Sequence, residues 1–251
     1  MQPQPDDNAD LIAGLLADQR SFYRERAPEY DQWWQRRGRY DHGPEDTAEW
    51  DRQIEMVLQA VDTFGPGGDV LELAGGTGWW SQHLAQTART LTVLDSSRET
   101  LRINRERVDR PDVTYIVADI FGWRPDRRYD TVFFSFWLSH VPRRVFEKFW
   151  ALVGSCLRPG GRAFLIDNRR DPTRATQDPY VIDEDDDVQR RRLSDGSEHR
   201  VVKVFYEPDE LAGQLRRLGW VANLAGTSRF IYGSATPGGG HSRTKTLKRQ
   251  K

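Results

Sequence analysis

The chain has 251 residues, 37% of them hydrophobic and 30% charged, with a net charge of −1. That is room for one α/β domain with a full core or for two small domains, and the balanced charge gives no overall basic field for nucleic acid. One cysteine, Cys156, excludes a disulfide within the chain and argues against a cysteine metal site; no apolar run approaches the ~18 residues of a membrane span.

The start, "MQPQPDDNAD", is acidic and Pro-rich with no signal-peptide pattern. Residues 1–10 are therefore expected to be disordered and the chain to be cytoplasmic. From Leu11 to Trp34, apolar and aromatic residues fall at helical spacing, with a break or kink at Pro28. A second helix is expected over residues 46–62, where Trp50, Ile54, Val57, Leu58 and Val61 share a face, and "GPGG" at 65–68 ends it. Short apolar runs then alternate with helical patterns. Residues 69–74, 90–95, 112–118, 129–136 and 161–167 read as strands, and 79–88, 97–108 and 142–157 as helices. This alternation implies a parallel sheet covered on both faces.

After Asp167 a polar, Pro-containing stretch reads as a loop or mobile lid. Its acidic run, Asp183 to Asp187, reads as solvated surface rather than a metal site. Asp195 and Gly196 lie between two strand-like arms, which predicts a β-hairpin at about 189–206. A helix ending at Gly219 and two strands, 221–226 and 229–235, close the fold. Residues 236–251, Gly-rich and then basic, are expected to form a disordered tail.

A parallel sheet holds ligands at the carboxyl ends of its strands, where strand order reverses. The first strand runs into "LELAGGTGWWS", Leu71 to Ser81. A dinucleotide fingerprint needs a third glycine for close helix packing. Here Trp79, Trp80 and Ser81 follow Gly78, which disfavours a dinucleotide. Glu72, Ala74, Gly76 and Gly78 have the spacing E-x-A-x-G-x-G, and the chain ends helix–strand–strand. In both respects the sequence resembles the class I S-adenosylmethionine methyltransferases, with Ala74 where glycine is commoner. The resemblance runs from about Tyr23 to Tyr232. It implies a Rossmann-like α/β fold with a mostly parallel seven-stranded sheet and helices on both faces. It also implies an N-terminal helical lid over 11–65, an S-adenosylmethionine-binding core over 66–235, and an inserted hairpin.

The cofactor has no phosphate, so a glycine turn that passes close under its methionine end suits it. The resemblance assigns Glu72, Ala74, Gly75, Gly76, Gly78 and Trp79 to that turn, and Asp95 and Ser96 to the ribose. It assigns Asp119 and Ile120 to the adenine, and Ser135 and Phe136 to the region beneath the sulfonium. Trp80 reads as a core residue packed on Leu84.

For the methyl acceptor, His140 is the best-placed candidate base, and a structural histidine before Pro142 is the alternative. Asp167 ends a strand and either faces the acceptor or orients a neighbour. Arg191, Arg192, Arg200 and Lys203 cluster on the hairpin, where a cover over the pocket would lie; arginine suits phosphate-like anions, and solvated edge charges are the alternative. "FYRERAPEYD", "WRPDRRYDTVFFSFWLSHVP" and "RRRLSDGSEHRVVKVF" further resemble the phosphonate O-methyltransferases of actinomycete antibiotic pathways. That likeness implies Tyr23 and Tyr30 in the lid and cofactor pocket. It implies Trp34, His140, Asp167, Arg192, Arg200 and Lys203 at a small-molecule acceptor, with no metal. Methylation of nitrogen, carbon or a hydroxyl in another metabolite, and non-catalytic cofactor binding, remain as alternatives; no sequence feature sets an oligomeric state. DNA amino-group methylation lacks its N-P-P-Y-type sequence.

Overall fold

Proline has a fixed φ and no N–H, so it interrupts a helix. Here α1 (Pro5–Arg26) gives way to a 3₁₀ turn at Ala27–Glu29, and then to α2 (Tyr30–Trp34). In α3 (Pro44–Phe64), Pro44 occupies the first turn beside Glu45 and Asp46, and Gly65 ends the helix in the left-handed conformation at φ 61°. These elements belong to a computed structural model that describes residues 5–170, 181–185, 187–193 and 195–238. α1 begins at Pro5, inside the stretch expected to be disordered, and residues 1–4 lie outside the described residues. Residues 239–251 of the expected tail lie outside the described residues.

The alternation continues as β1 (Gly68–Leu73), α4 (Trp79–Leu84), β2 (Ala88–Asp95), α5 (Arg98–Val108) and β3 (Thr114–Val117). It then runs through β4 (Tyr129–Ser135), α6 (Phe146–Cys156) and β5 (Leu157–Asn168). After a second, small sheet come α7 (Pro208–Arg217), β9 (Trp220–Gly226) and β10 (Phe230–Pro237). The main sheet has seven strands in the order β3-β2-β1-β4-β5-β10-β9. β10 runs antiparallel to both its neighbours, and the other pairings are parallel.

Strand alternation sends side chains to opposite faces. Leu71, Leu73, Val132, Phe134 and Leu165 pack with Phe149, Trp150 and Val153 of α6. Their neighbours Val70, Val93, Phe133 and Phe164 pack with Ile54, Val57 and Val61 of α3. Order reverses between β1 and β4, so the crevice at their carboxyl ends is where this fold receives ligands.

The small sheet departs from expectation. The hairpin forms from β7 (Val188–Arg192) and β8 (Glu198–Val202), but β6 (Val181–Asp185) pairs with β7 as a third strand, inside the stretch read as a loop. Backbone pairing explains the correction: β7 without β6 would leave one edge open. Side chains from Ile182 to Asp186, most of the acidic run, lie outside what is described. Phe22, Tyr40, Leu193 and Val201 form a separate buried cluster that holds the small sheet against α1. Among the described residues no helix is long and apolar enough to cross a membrane.

Candidate active site

β1 and β4 lie side by side, and each runs into a left-handed residue that is not glycine: Ala74 at φ 54° and Phe136 at φ 52°. That conformation costs an L-residue roughly 1–2 kcal/mol, and it persists where the surroundings over-determine it. The motif's commoner glycine would adopt it freely at position 74. The following turn is tightly packed. A Cβ on Gly75 would collide with Val93 Cγ1, and one on Gly78 would meet Asn104 at 2.8 Å.

Asn104, fully buried on α5, holds this turn and was not singled out from sequence. Its amide nitrogen reaches the Gly75 and Gly76 carbonyls at 3.2 Å each and Ser81 Oγ at 2.7 Å. Its only sequence signal is helical phase: Thr100, Leu101 and Asn104 are the buried residues of a highly charged helix. Ser81 in turn donates to Glu72. Burial pushes the Glu72 carboxyl up to about 8, against the Ser81 hydrogen bond, so it keeps its proton at neutral pH. Asp95 accepts from the Gly76 N–H at 3.0 Å and the Ser97 N–H at 2.9 Å. Burial raises its pKa and those N–H donors oppose the rise.

A cavity of about 30 Å³ sits beside this turn. Ala74, Asp95, Ser96, Asp119 and Ile120 line it, with Phe121 and Trp137. Five residues expected at the cofactor are therefore brought together. Gly75, Gly76 and Gly78 form the turn beside it, Glu72 lies buried beneath that turn, and Ser135 is half-buried at the end of β4. Leu16, Gln19 and Arg20 of α1 close the cavity, and Arg20 donates to Asp119 at 2.8 Å. Farther along the N-terminal segment, Asp31 accepts from Thr77 at 2.7 Å and pairs with Arg107.

The two tryptophans after the glycines have separate jobs. Trp80 is buried in the core with Leu84. Trp79 stacks face to face on Trp34, with ring centroids 4.2 Å apart and planes 3° apart, and so ties α4 to α2. That stack corrects the expectation for Trp34: it is buried, and its neighbour Trp33 lines the pocket instead.

The larger cavity, about 190 Å³, lies between the N-terminal segment, the main sheet and the small sheet. Tyr23, Tyr30, Phe136 and His140 line it, and so do seven cations: Arg26, Arg36, Arg169, Arg170, Arg191, Lys203 and Arg229. No carboxylate lines it among the described residues.

Three further acceptor expectations need correction in their placing, and a fourth, which does line the cavity, in its role. Arg192 points away and pairs with Glu198 at 3.0 Å, while Arg200 pairs with Asp18 at 2.9 Å. The reason is strand parity. Gln189, Arg191 and Leu193 are buried on the inner face, and Arg190 and Arg192 are exposed on the other. Asp167 is buried and accepts from the Ser139 and Asn168 N–H groups, each at 2.7 Å. It lies behind Lys203, whose Nζ is 3.9 Å away and donates to Ser139 Oγ at 2.9 Å. Asp167 therefore orients neighbours.

His140 is the fourth. Its Nδ1 faces the Val202 carbonyl at 2.7 Å, and its Nε2 faces the Tyr23 hydroxyl at 2.7 Å. A carbonyl only accepts, so Nδ1 carries the proton. Burial, together with Lys203 and Arg191, holds the ring well below the usual histidine range. The ring is neutral, Tyr23 donates to Nε2, and neither nitrogen is left to act directly on an acceptor.

The fold and the motif-bearing turn define a methyltransferase. A profile of the methyltransferase domain family matches residues 70–161. This chain belongs to the class I S-adenosylmethionine-dependent methyltransferases. DhpI in complex with SAH has a similar structure at TM-score 0.76 and 34% identity, covering 91% of this chain and 99% of DhpI. DhpI in complex with SAM and HEP gives 0.73 and 37%, over 89% and 98%. Among curated proteins, the demethylmenaquinone methyltransferase of Renibacterium salmoninarum is 26% identical over 69% of this chain and 73% of its own length. The chain is an enzyme that uses S-adenosylmethionine.

Proposed function

We propose that this enzyme methylates an oxygen of a small anionic acceptor, and that the acceptor is a phosphonate. The carrying observation is the larger cavity, with its seven cationic side chains and no carboxylate among its described lining residues. Guanidinium forks match the oxygens of a phosphonate or phosphate, and a buried ammonium adds a point charge. The DhpI complex with SAM and HEP supports the same reading. A quinone, as the curated relative's name indicates for that protein, calls for an apolar channel instead.

The residues fit the cofactor. Asp95 offers a carboxylate for two ribose hydroxyls, Asp119 one for an amino group, and the glycine turn a close backbone approach. Bound there, S-adenosylmethionine supplies an electrophilic methyl whose bonding pair stays on sulfur when an acceptor oxygen takes the carbon. Lys203 and Arg191 hold that oxygen, and Arg26 and Tyr23 close over it. The cations suppress protonation of the acceptor, so no general base is needed and His140 serves to orient Tyr23. Methylation removes one negative charge, so the same cations hold product more weakly than substrate. Residues 11–65 act as the lid. The 30 Å³ left under Arg20 is about the volume of one water, so α1 must draw back to admit a nucleoside.

The test is product formation by mass spectrometry with S-adenosylmethionine and a panel: 2-hydroxyethylphosphonate, alkyl phosphonates, carboxylates, phenols and amines. Methyl esters formed on phosphonates alone are expected. Turnover of a phenol or amine with every phosphonate inert would overturn the assignment.

A further inference from the structure

Arg36 and Arg229 stand apart from the hairpin wall of the larger cavity. Arg36 follows α2, Arg229 precedes β10, and both line the cavity with Trp50 of α3. We infer that these three residues form a second anion subsite, so that the acceptor is a phosphonate carrying a further anionic group such as a carboxylate. The inference rests on the phosphonate reading and narrows it.

Both guanidinium side chains are withdrawn from solvent, at 4% and 7% exposure. One carboxylate serves both: Asp46 accepts from Arg36 at 2.8 Å and from Arg229 at 2.9 Å. Two guanidinium groups thus share the Asp46 carboxylate. Both guanidinium groups lie over the Trp50 ring, 4.8 and 5.9 Å from its centroid. The Nε of Arg36 is buried and has no hydrogen-bond partner. Buried donors are nearly always satisfied in native folds, and an exception calls for a ligand or another explanation. The Arg36 backbone is also left-handed, at φ 50°, a conformation a fold retains where something else is gained. Burial and the neighbouring Arg229 both lower the Arg36 pKa, against opposing contributions from Tyr40 and Asp41.

A purely structural clamp between α3 and β10 needs one arginine on Asp46. The second, Arg36, ties the segment after α2 to the same carboxylate and brings a second cation into a buried place. A ligand carboxylate between the two forks would give Arg36 Nε an acceptor. The aromatic surround of Trp33, Trp50 and Phe136 favours a small group there over a second bulky one.

The test compares kcat/KM for phosphonoacetate, 3-phosphonopropionate and 4-phosphonobutyrate with alkyl phosphonates of matching length. At least one carboxylated member is expected to be preferred by about tenfold or more, the gain of a charge-assisted pair. In Arg36→Gln that preference ratio should fall to about one, and Arg229→Gln should lower it too. A ratio between two substrates is independent of the active fraction, so partial misfolding does not imitate the result. The subsite is overturned if wild-type enzyme methylates both classes equally, or if the ratio survives in both variants. Methylation of no phosphonate at all would overturn the phosphonate reading and the subsite with it.

Discussion

The proposed cofactor side and the proposed acceptor side of this enzyme are built from different materials. The cofactor side is backbone and carboxylates: a glycine turn, Asp95, Asp119, and Asn104 and Glu72 beneath. Its parts come from consecutive strand tips, so they are close in sequence as well as in space. The acceptor side is guanidinium groups and aromatic rings gathered from the N-terminal segment, the small sheet and the loop before β10. The first is a site that one fold can carry unchanged while the second is rebuilt for a new acceptor.

Three measurements test whether the two sides are separable, and the largest effect is expected from Lys203→Met. Loss of a buried, hydrogen-bonded charge facing an anion should lower kcat/KM for a phosphonate by about 100-fold, with calorimetric affinity for S-adenosylmethionine unchanged. An equal fall in cofactor affinity would mean that Lys203 serves both sides. The converse is Asp95→Asn. Hydrogen bonds to a charged group are each worth about 1.5–3 kcal/mol, so cofactor affinity should weaken roughly 10- to 100-fold while the order of acceptor preference stays fixed; a reordered panel would show the sides to be entangled.

The smallest effect probes the foundation of the cofactor side. Glu72 has its pKa raised from 4.5 to about 8 by burial. Across that window the folded chain holds a proton that the unfolded chain has lost. Its contribution is therefore complete below 4.5 and is lost as pH rises through about 8. Glu72→Gln should remove this slope and exceed wild type by about 1–3 kcal/mol at pH 9 in urea unfolding. Parallel pH profiles for the two proteins would show that Glu72 is ionised in the folded state.

The comparison also explains what the sequence revealed. The E-x-A-x-G-x-G spacing, Asp95 and Asp119 follow from strand periodicity and a local turn, and their gathering about the smaller cavity was legible. The hairpin was legible as a hairpin, but its face was not. "QRRRL" offers three arginines and no apolar alternation until Leu193, whose burial sets the parity that turns Arg191 inward and Arg192 outward. Arg36 and Arg229 were missed because only tertiary packing brings them together, 193 positions apart in the chain. Trp33 and Trp34 could not be told apart, since in so short a helix packing decides which ring faces the cavity.

The position of α1 has an energetic consequence. Leu16, Gln19 and Arg20 wall one cavity, and Tyr23 and Arg26, within the next two turns, wall the other. Gln19 also bonds to His140 and Val202, and Asp18 to Arg200. One helix thus borders both cavities, and under the proposed assignment whatever ordering of that helix the first ligand achieves the second need not repeat. Each ligand should then tighten the other's binding by the same factor, because such linkage is reciprocal.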